Sequence, residues 1–116
     1  MSEIEASGLV LALTTEANAE RAQQLAEALL ERQLVACVSI TPLQSFYRWE
    51  GALQRSHEVQ LLMKTSPQHL EALHAAVSEL HSYDTPEWLS WPVTASPAYA
   101  TWALAELSAG ASPPAA

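Results

Sequence analysis

The side chains with chemistry to offer are few: Cys37, Glu58, Lys64 and His81, the last beside Tyr83 and Asp84. A thiolate at Cys37 suits copper or zinc, but capture needs further ligands nearby, and the sequence shows neither a CxxC nor two His at i, i+4. Between Ala36 and Val38 the same thiol reads first as a small buried hydrophobe. Glu58 and Lys64 are six residues apart in a stretch that reads as a strand, so they share one face, about 20 Å apart at ~3.3 Å per residue. They form no ion pair with each other, and ordinary solvated charges are one reading of both. His81 suits a proton-sensitive ligand contact, or a helix C-terminus where its charge favours the dipole. His57, His69 and His74 read as surface residues.

These groups depend on the stretch from Ala36 to Glu58, which reads as a long β-hairpin. Val38, Ile40, Tyr47 and Trp49 favour extended backbone, and Glu50-Gly51 offers the positive φ of a tight turn. Pro42 cannot donate a ladder hydrogen bond, so the first arm is expected to bend or bulge and split there. The outer half is apolar on both faces, with Phe46 pointing one way and Tyr47 and Trp49 the other. Such a ribbon needs cover, and the expected cover is another subunit.

Around the hairpin the elements alternate. Gly8 to Thr15 is a continuous apolar run, a strand covered on both faces or buried centrally. Ala17 to Gln33 carries Ala22, Leu25, Ala26, Leu29 and Leu30 at helical spacing, with Thr14 or Thr15 as the expected cap. Leu34 to Thr41 and Leu53 to Thr65 are strands, the latter with Leu53, Val59, Leu61 and Met63 on one face. Ser66-Pro67 opens a helix ending near His81, Glu87 to Val93 is a strand that Pro92 places at an edge or stops from pairing, and Ser96-Pro97 opens a helix ending near Leu107. The order β-α-β-β-α-β-α predicts an α+β fold, a ferredoxin-like split β-α-β sandwich with an added C-terminal helix. Two helices cover one face, and the uncovered face argues again for self-association. Residues 8–108 form the single domain, with flexible ends at 1–7 and 109–116.

At 116 residues and 49% hydrophobic, the chain has room for one core and needs no disulfide or metal to fold. One Cys excludes an internal disulfide and a cysteine zinc cluster, so a reducing, cytoplasmic setting is expected. The acidic start MSEIEAS and the short apolar run after it suit neither a signal peptide nor a membrane span. A net charge of -8 opposes phosphate attraction, which makes DNA and RNA unsuitable partners and cations suitable ones.

Ala36-Cys37-Val38-Ser39-Ile40, Pro42, Ser45, Tyr47, Trp49, Glu50-Gly51 and Glu58 form one pattern, and His81, Tyr83 and Pro86-Glu87 a second. Together with Lys64-Thr65, Tyr99 and Trp102 they resemble the CutA, or divalent-cation-tolerance, family over roughly residues 9 to 107. The resemblance implies a ferredoxin-like homotrimer related in architecture to PII signalling proteins, its long bent hairpin reaching onto neighbours through Phe46, Tyr47 and Trp49. It also implies that Cys37, Trp49, Glu58, Lys64, His81, Tyr83 and Trp102 gather around a cleft between subunits. There Lys64 would hold an anion, and Glu58 would accept hydrogen bonds or bind a cation. No cofactor is required. Copper or another divalent metal is the implied ion, with His81 and Cys37 as its ligands. The strand-end Cys of copper-binding relatives corresponds to Thr14, their paired His to Leu80-His81, and the usual Pro after it to Ser82.

The expected function is a trimeric small-ligand or divalent-metal-binding protein with a regulatory or metal-homeostasis role. Two rivals stand beside it: an enzyme with His81 or Glu58 as acid or base, and a trimeric scaffold for partner proteins. The sequence has no nucleophile elbow, phosphate loop or metal triad, so no catalytic residue is assigned.

Overall fold

The continuous apolar run after Gly8 becomes β1 (Leu9–Glu16), and its lack of alternation follows from its place. It lies inside a four-stranded sheet, between β3 (Ala52–Thr65) and β4 (Leu89–Val93), with β2 (Cys37–Trp49) beyond β3. All pairings are antiparallel. With α1 (Ala19–Glu31), α2 (Pro67–Leu80) and α3 (Pro97–Ala111) the fold is α+β, and the strand order β2-β3-β1-β4 is that of the expected split β-α-β sandwich. This computed structural model describes residues 8–111; of the ends expected to be flexible at 1–7 and 109–116, residues 1–7 and 112–116 lie outside the described residues, while 109–111 are not a loose tail but the last residues of α3.

Both crossover helices bury their apolar stripes on the same sheet face. Leu25 and Leu29 of α1 and Leu73 and Val77 of α2 pack with Ala12 of β1 and with Val59, Leu61 and Met63 of β3. The period-2 pattern expected of β3 holds from Val59 to Thr65, but Leu53, expected with the core, is 65% exposed because it lies near the hairpin tip, past the helices. On the opposite face α3 covers one end only, with Ala100, Ala103 and Leu107 over Leu9 and Ala36.

Several boundaries differ from expectation for local reasons. The cap of α1 is Asn18, whose side chain accepts from the Arg21 N–H, rather than Thr14 or Thr15, because β1 runs on to Glu16. Ser66 does precede α2, but its hydroxyl bonds His69 Nδ1 at 2.7 Å instead of a backbone N–H. β2 starts at Cys37 rather than Leu34, since Gln33 takes φ 56° and the Leu34 carbonyl is tied to the Thr65 hydroxyl at 2.8 Å. β4 starts at Leu89 rather than Glu87, and it is an edge strand as Pro92 suggested. α3 continues to Ala111, past Leu107, through residues rich in alanine.

The hairpin pairs from Cys37 opposite Lys64 to Trp49 opposite Ala52 with no slip, and Pro42 stands opposite Val59 within that ladder. The expected split at Pro42 does not occur. β2 is an outer strand, so a proline whose missing N–H faces away from β3 loses no ladder bond. At the tip Glu50 has φ 52° and Gly51 φ 81°, the two left-handed residues of a type I′ turn. A Cβ on Gly51 would meet nothing within 4 Å, so replacement there acts through the dihedral alone. Gly51→Ala is expected to cost about 1 kcal/mol and lower the thermal midpoint by roughly 5 °C in a circular-dichroism melt. An unchanged midpoint would mean that the tip is not held in this turn.

Candidate functional site

Register decides which polar side chains meet. Cys37, Lys64, Leu11 and Trp91 stand in one row across the sheet, on the face away from α1 and α2. Lys64 Nζ donates to Ser39 Oγ at 2.7 Å and lies 3.7 Å from Cys37 Sγ. Burial, then the neighbouring Cys37 thiol, pushes the Tyr99 phenol above its ordinary pKa. Tyr99 in turn packs against Trp102, with ring centroids 5.6 Å apart. No carboxylate lies within ion-pairing distance of Lys64 among the described residues, where the close acid–base contacts are Arg32 with Glu79 and His81 with Glu16.

A second group forms six residues along β3, about 20 Å from the first. Tyr83 Oη donates to Glu58 Oε2 at 2.8 Å, and the Tyr83 ring lies 4.9 Å from that of His81. The Tyr83 N–H donates to His81 Nδ1 at 3.0 Å, while His81 Nε2 meets the Thr15 carbonyl at 2.6 Å. A carbonyl only accepts, so these partners assign the proton to Nε2 and leave Nδ1 as the acceptor.

Beneath this ring Glu16 is 2% exposed. Its carboxylate accepts from Ser82 Oγ at 2.6 Å, Ala17 N–H at 3.0 Å and Ser82 N–H at 3.1 Å. Burial pushes the Glu16 pKa up, but the Ser82 hydroxyl, the two N–H groups and nearby His81 outweigh it and hold the carboxyl below its ordinary value. Burial, then the bond to Glu58, raises the Tyr83 phenol well above its own.

The seven expected cleft residues therefore divide within one chain. Cys37, Lys64 and Trp102 belong to the first group and Glu58, His81 and Tyr83 to the second. Trp49 is 57% exposed at the hairpin tip, about 20 Å beyond the Glu58 row. Phe46 and Tyr47 are 60% and 42% exposed; Arg55 lies 5.9 Å over the Phe46 ring, and Tyr47 Oη bonds Ser56 at 2.9 Å.

The residues of a single chain do not fit a metal ion. His81 and Cys37 stand in different groups, both ring nitrogens of His81 have backbone partners, and no set of three or more His, Cys, Asp or Glu among the described residues could hold one. Thr14 is buried under the helices, and its hydroxyl has no hydrogen-bond partner among the described residues.

His57 and His74 are exposed as expected, whereas His69 is half-buried against Ser66. Three contributors escaped the sequence reading. Ser39 had a signal, standing two residues from Cys37 and so on its face. Glu16 had one too, as a carboxylate closing an apolar strand, while Ser82 had none. Where the hairpin leaves the sheet, Glu58 also edges a depression of about 410 Å³ formed with Ala17, Asn18, Pro42 and Leu43.

Residues 10–106, which include both groups, match the family model described as CutA1 divalent ion tolerance protein. The chain belongs to this family. It is 41% identical over 109 residues to the divalent-cation tolerance protein CutA of Pectobacterium atrosepticum, covering 92% of this chain and 99% of that one. Its fold superposes on the structure of CutA from Synechococcus elongatus with a TM-score of 0.83 at 46% identity, covering 85% of this chain and 89% of the other. The periplasmic divalent cation tolerance protein CutA from Archaeoglobus fulgidus gives a TM-score of 0.83 at 29% identity, covering 85% and 98%. The CutA likeness thus spans nearly the whole described chain.

The Glu16 network carries a pH signature. A carboxyl with a lowered folded pKa stabilises the fold above its unfolded value, near ~4.3, and the contribution is lost as pH falls through the folded value. Glu16→Gln is expected to cost about 2 kcal/mol at pH 7 in denaturant titrations, with the gap to wild type closing below about pH 4. A gap that stays constant down to pH 3 would show that the network does not hold the carboxylate ionised.

Proposed function

We propose that this CutA-family protein works as a cytoplasmic homotrimer that binds a small ligand or a divalent metal ion in clefts between subunits, in a regulatory or metal-homeostasis role without catalysis. The observation that carries this reading is the sheet face opposite α1 and α2. Leu89 and Trp91 on it are 51% and 39% exposed, and the hairpin beyond displays Phe46, Trp49 and Leu53. Apolar surface of this extent calls for a second copy, and a ring of copies lets one surface pack on an unlike surface of the next. The hairpin arm, 13 residues long in β2, spans about 40 Å and can reach a neighbour.

A cleft between copies also answers the division of the polar residues. The Lys64 group of one chain can face the Glu58 group of the next, and a metal ion would draw its ligands from both. The relatives' name, divalent-cation tolerance, supports the metal branch. The engagement of His81 supports a non-catalytic role: both its ring nitrogens are bonded to backbone, and one Glu58 oxygen accepts from Tyr83.

Multi-angle light scattering at micromolar concentration is expected to give about three times the 12.6 kDa chain mass. Calorimetry on the chelator-treated protein is expected to detect Cu(II) or Zn(II) binding tighter than about 100 μM. A single-chain mass overturns the trimer, and a trimer that takes up neither metal confines the clefts to small ligands.

A further inference from the structure

We infer that Lys64 of one copy pairs with Glu58 of the next, so that closure of the ring depends on one charge pair at each boundary. This rests on the trimer reading above, which brings copies together on the open sheet face without saying which residues meet. Register decides what that face holds. Taking alternate residues from the row of Cys37, Lys64, Leu11 and Trp91, the four strands direct one carboxylate to it, Glu58, and one ammonium, Lys64. Glu16, Arg48 and Arg55 alternate to the opposite face, and Arg21 and Arg32 lie in α1 and at its C-cap. Lys64 and Glu58 are six residues apart on β3, about 20 Å, so they cannot meet within one chain.

Each has one bonding position left. Lys64 Nζ donates to Ser39 Oγ at 2.7 Å and lies 3.7 Å from Cys37 Sγ, which leaves its third proton over. Glu58 accepts from Tyr83 at Oε2, which leaves Oε1. Burying this face in an assembly takes both charges out of water, and buried charges are costly unless matched. Pairing across the boundary matches both at once, with Leu62 between their rows on β3 to exclude water. Copies that each carry a net charge of -8 repel one another, so the attraction at a boundary has to be local. In a head-to-tail contact Lys64 of each copy meets Glu58 of the next, and three such contacts close a ring. An ion bound between Cys37 and the next copy's Glu58 would replace that ammonium.

The test reverses the charges and follows assembly by light scattering over a dilution series. Lys64→Glu and Glu58→Lys are each expected to raise the concentration at which the trimer dissociates by at least about tenfold, and the chain carrying both reversals to regain most of the loss. A mixture of the two single variants is expected not to regain it. A three-membered ring built from two kinds of copy always contains one contact between like copies, whereas a two- or four-membered ring can alternate. Single reversals that leave dissociation unchanged overturn the inference, as does a double variant that loses as much as both singles together. Should a reversed charge unfold the chain in circular dichroism, Lys64→Gln, Glu58→Gln and their double decide: a pair makes the double loss smaller than the sum, and additive losses overturn it. A mixture that assembles supports the pair but overturns the three-fold ring. A single-chain mass for the wild type overturns the trimer reading and the inference with it.

Discussion

The antiparallel ladder between β2 and β3 runs from Cys37 opposite Lys64 to Trp49 opposite Ala52 without slip. Side chains alternate with period 2, so a shift of one residue would exchange the two faces of a strand. Here the exchange would turn Val59, Leu61 and Met63 away from the helices and drive Glu58, Gln60 and Lys64 beneath them. Burial of three apolar side chains against burial of two charges makes the observed register strongly preferred. That preference puts Lys64 beside Cys37 and Ser39, and it sends the rings of the outer hairpin past the reach of α1 and α2.

At the other end of the sheet the controlling element is the carboxylate of Glu16. It takes three short hydrogen bonds from Ala17 and Ser82 and so anchors the chain leaving α2 to the end of β1. His81 continues the tie through the Thr15 carbonyl and the Tyr83 N–H, and Tyr83 then reaches Glu58. Three residues of the connecting segment, His81, Ser82 and Tyr83, are held by groups belonging to two strands. The result is a Glu58 with one carboxylate oxygen already engaged by a phenol.

The fold was largely legible because its determinants are local. The stripes of Ala22, Leu25 and Leu29 and of Leu73 and Val77, the turn residues Glu50-Gly51 and the Ser66-Pro67 start each specify one element, and the crossover rule then limits the sheet order. Pro42 misled for a reason of placement: whether a proline disrupts a strand depends on which side its missing N–H faces, and this follows from edge position together with the pairing register, which no local pattern encodes. The site was less legible. That Lys64 shares a face with Glu58 could be read from spacing, but that Ser39 meets Lys64 depends on the register between two strands. That Ser82 meets Glu16 depends on a contact 66 residues apart in sequence.

The separation of the two polar groups sets the terms for any cation chemistry. Cys37 stands on β2, which is closed into a hairpin with β3, and His81 is tied to β1 through the Thr15 carbonyl, so no rotamer change spans the distance of about 20 Å between the two groups. His81 would also have to give up a backbone partner at Nε2 or Nδ1 to coordinate an ion, leaving either the Thr15 carbonyl or the Tyr83 N–H unmatched beside a buried carboxylate. A metal site formed on one chain would therefore work against the same bonds that hold Tyr83 on Glu58. A site between copies that took Cys37 from one chain and Glu58 Oε1 from the next would leave the His81 bonds whole. On the proposed reading, cation binding and assembly are one equilibrium, and a chain that failed to associate would lose both.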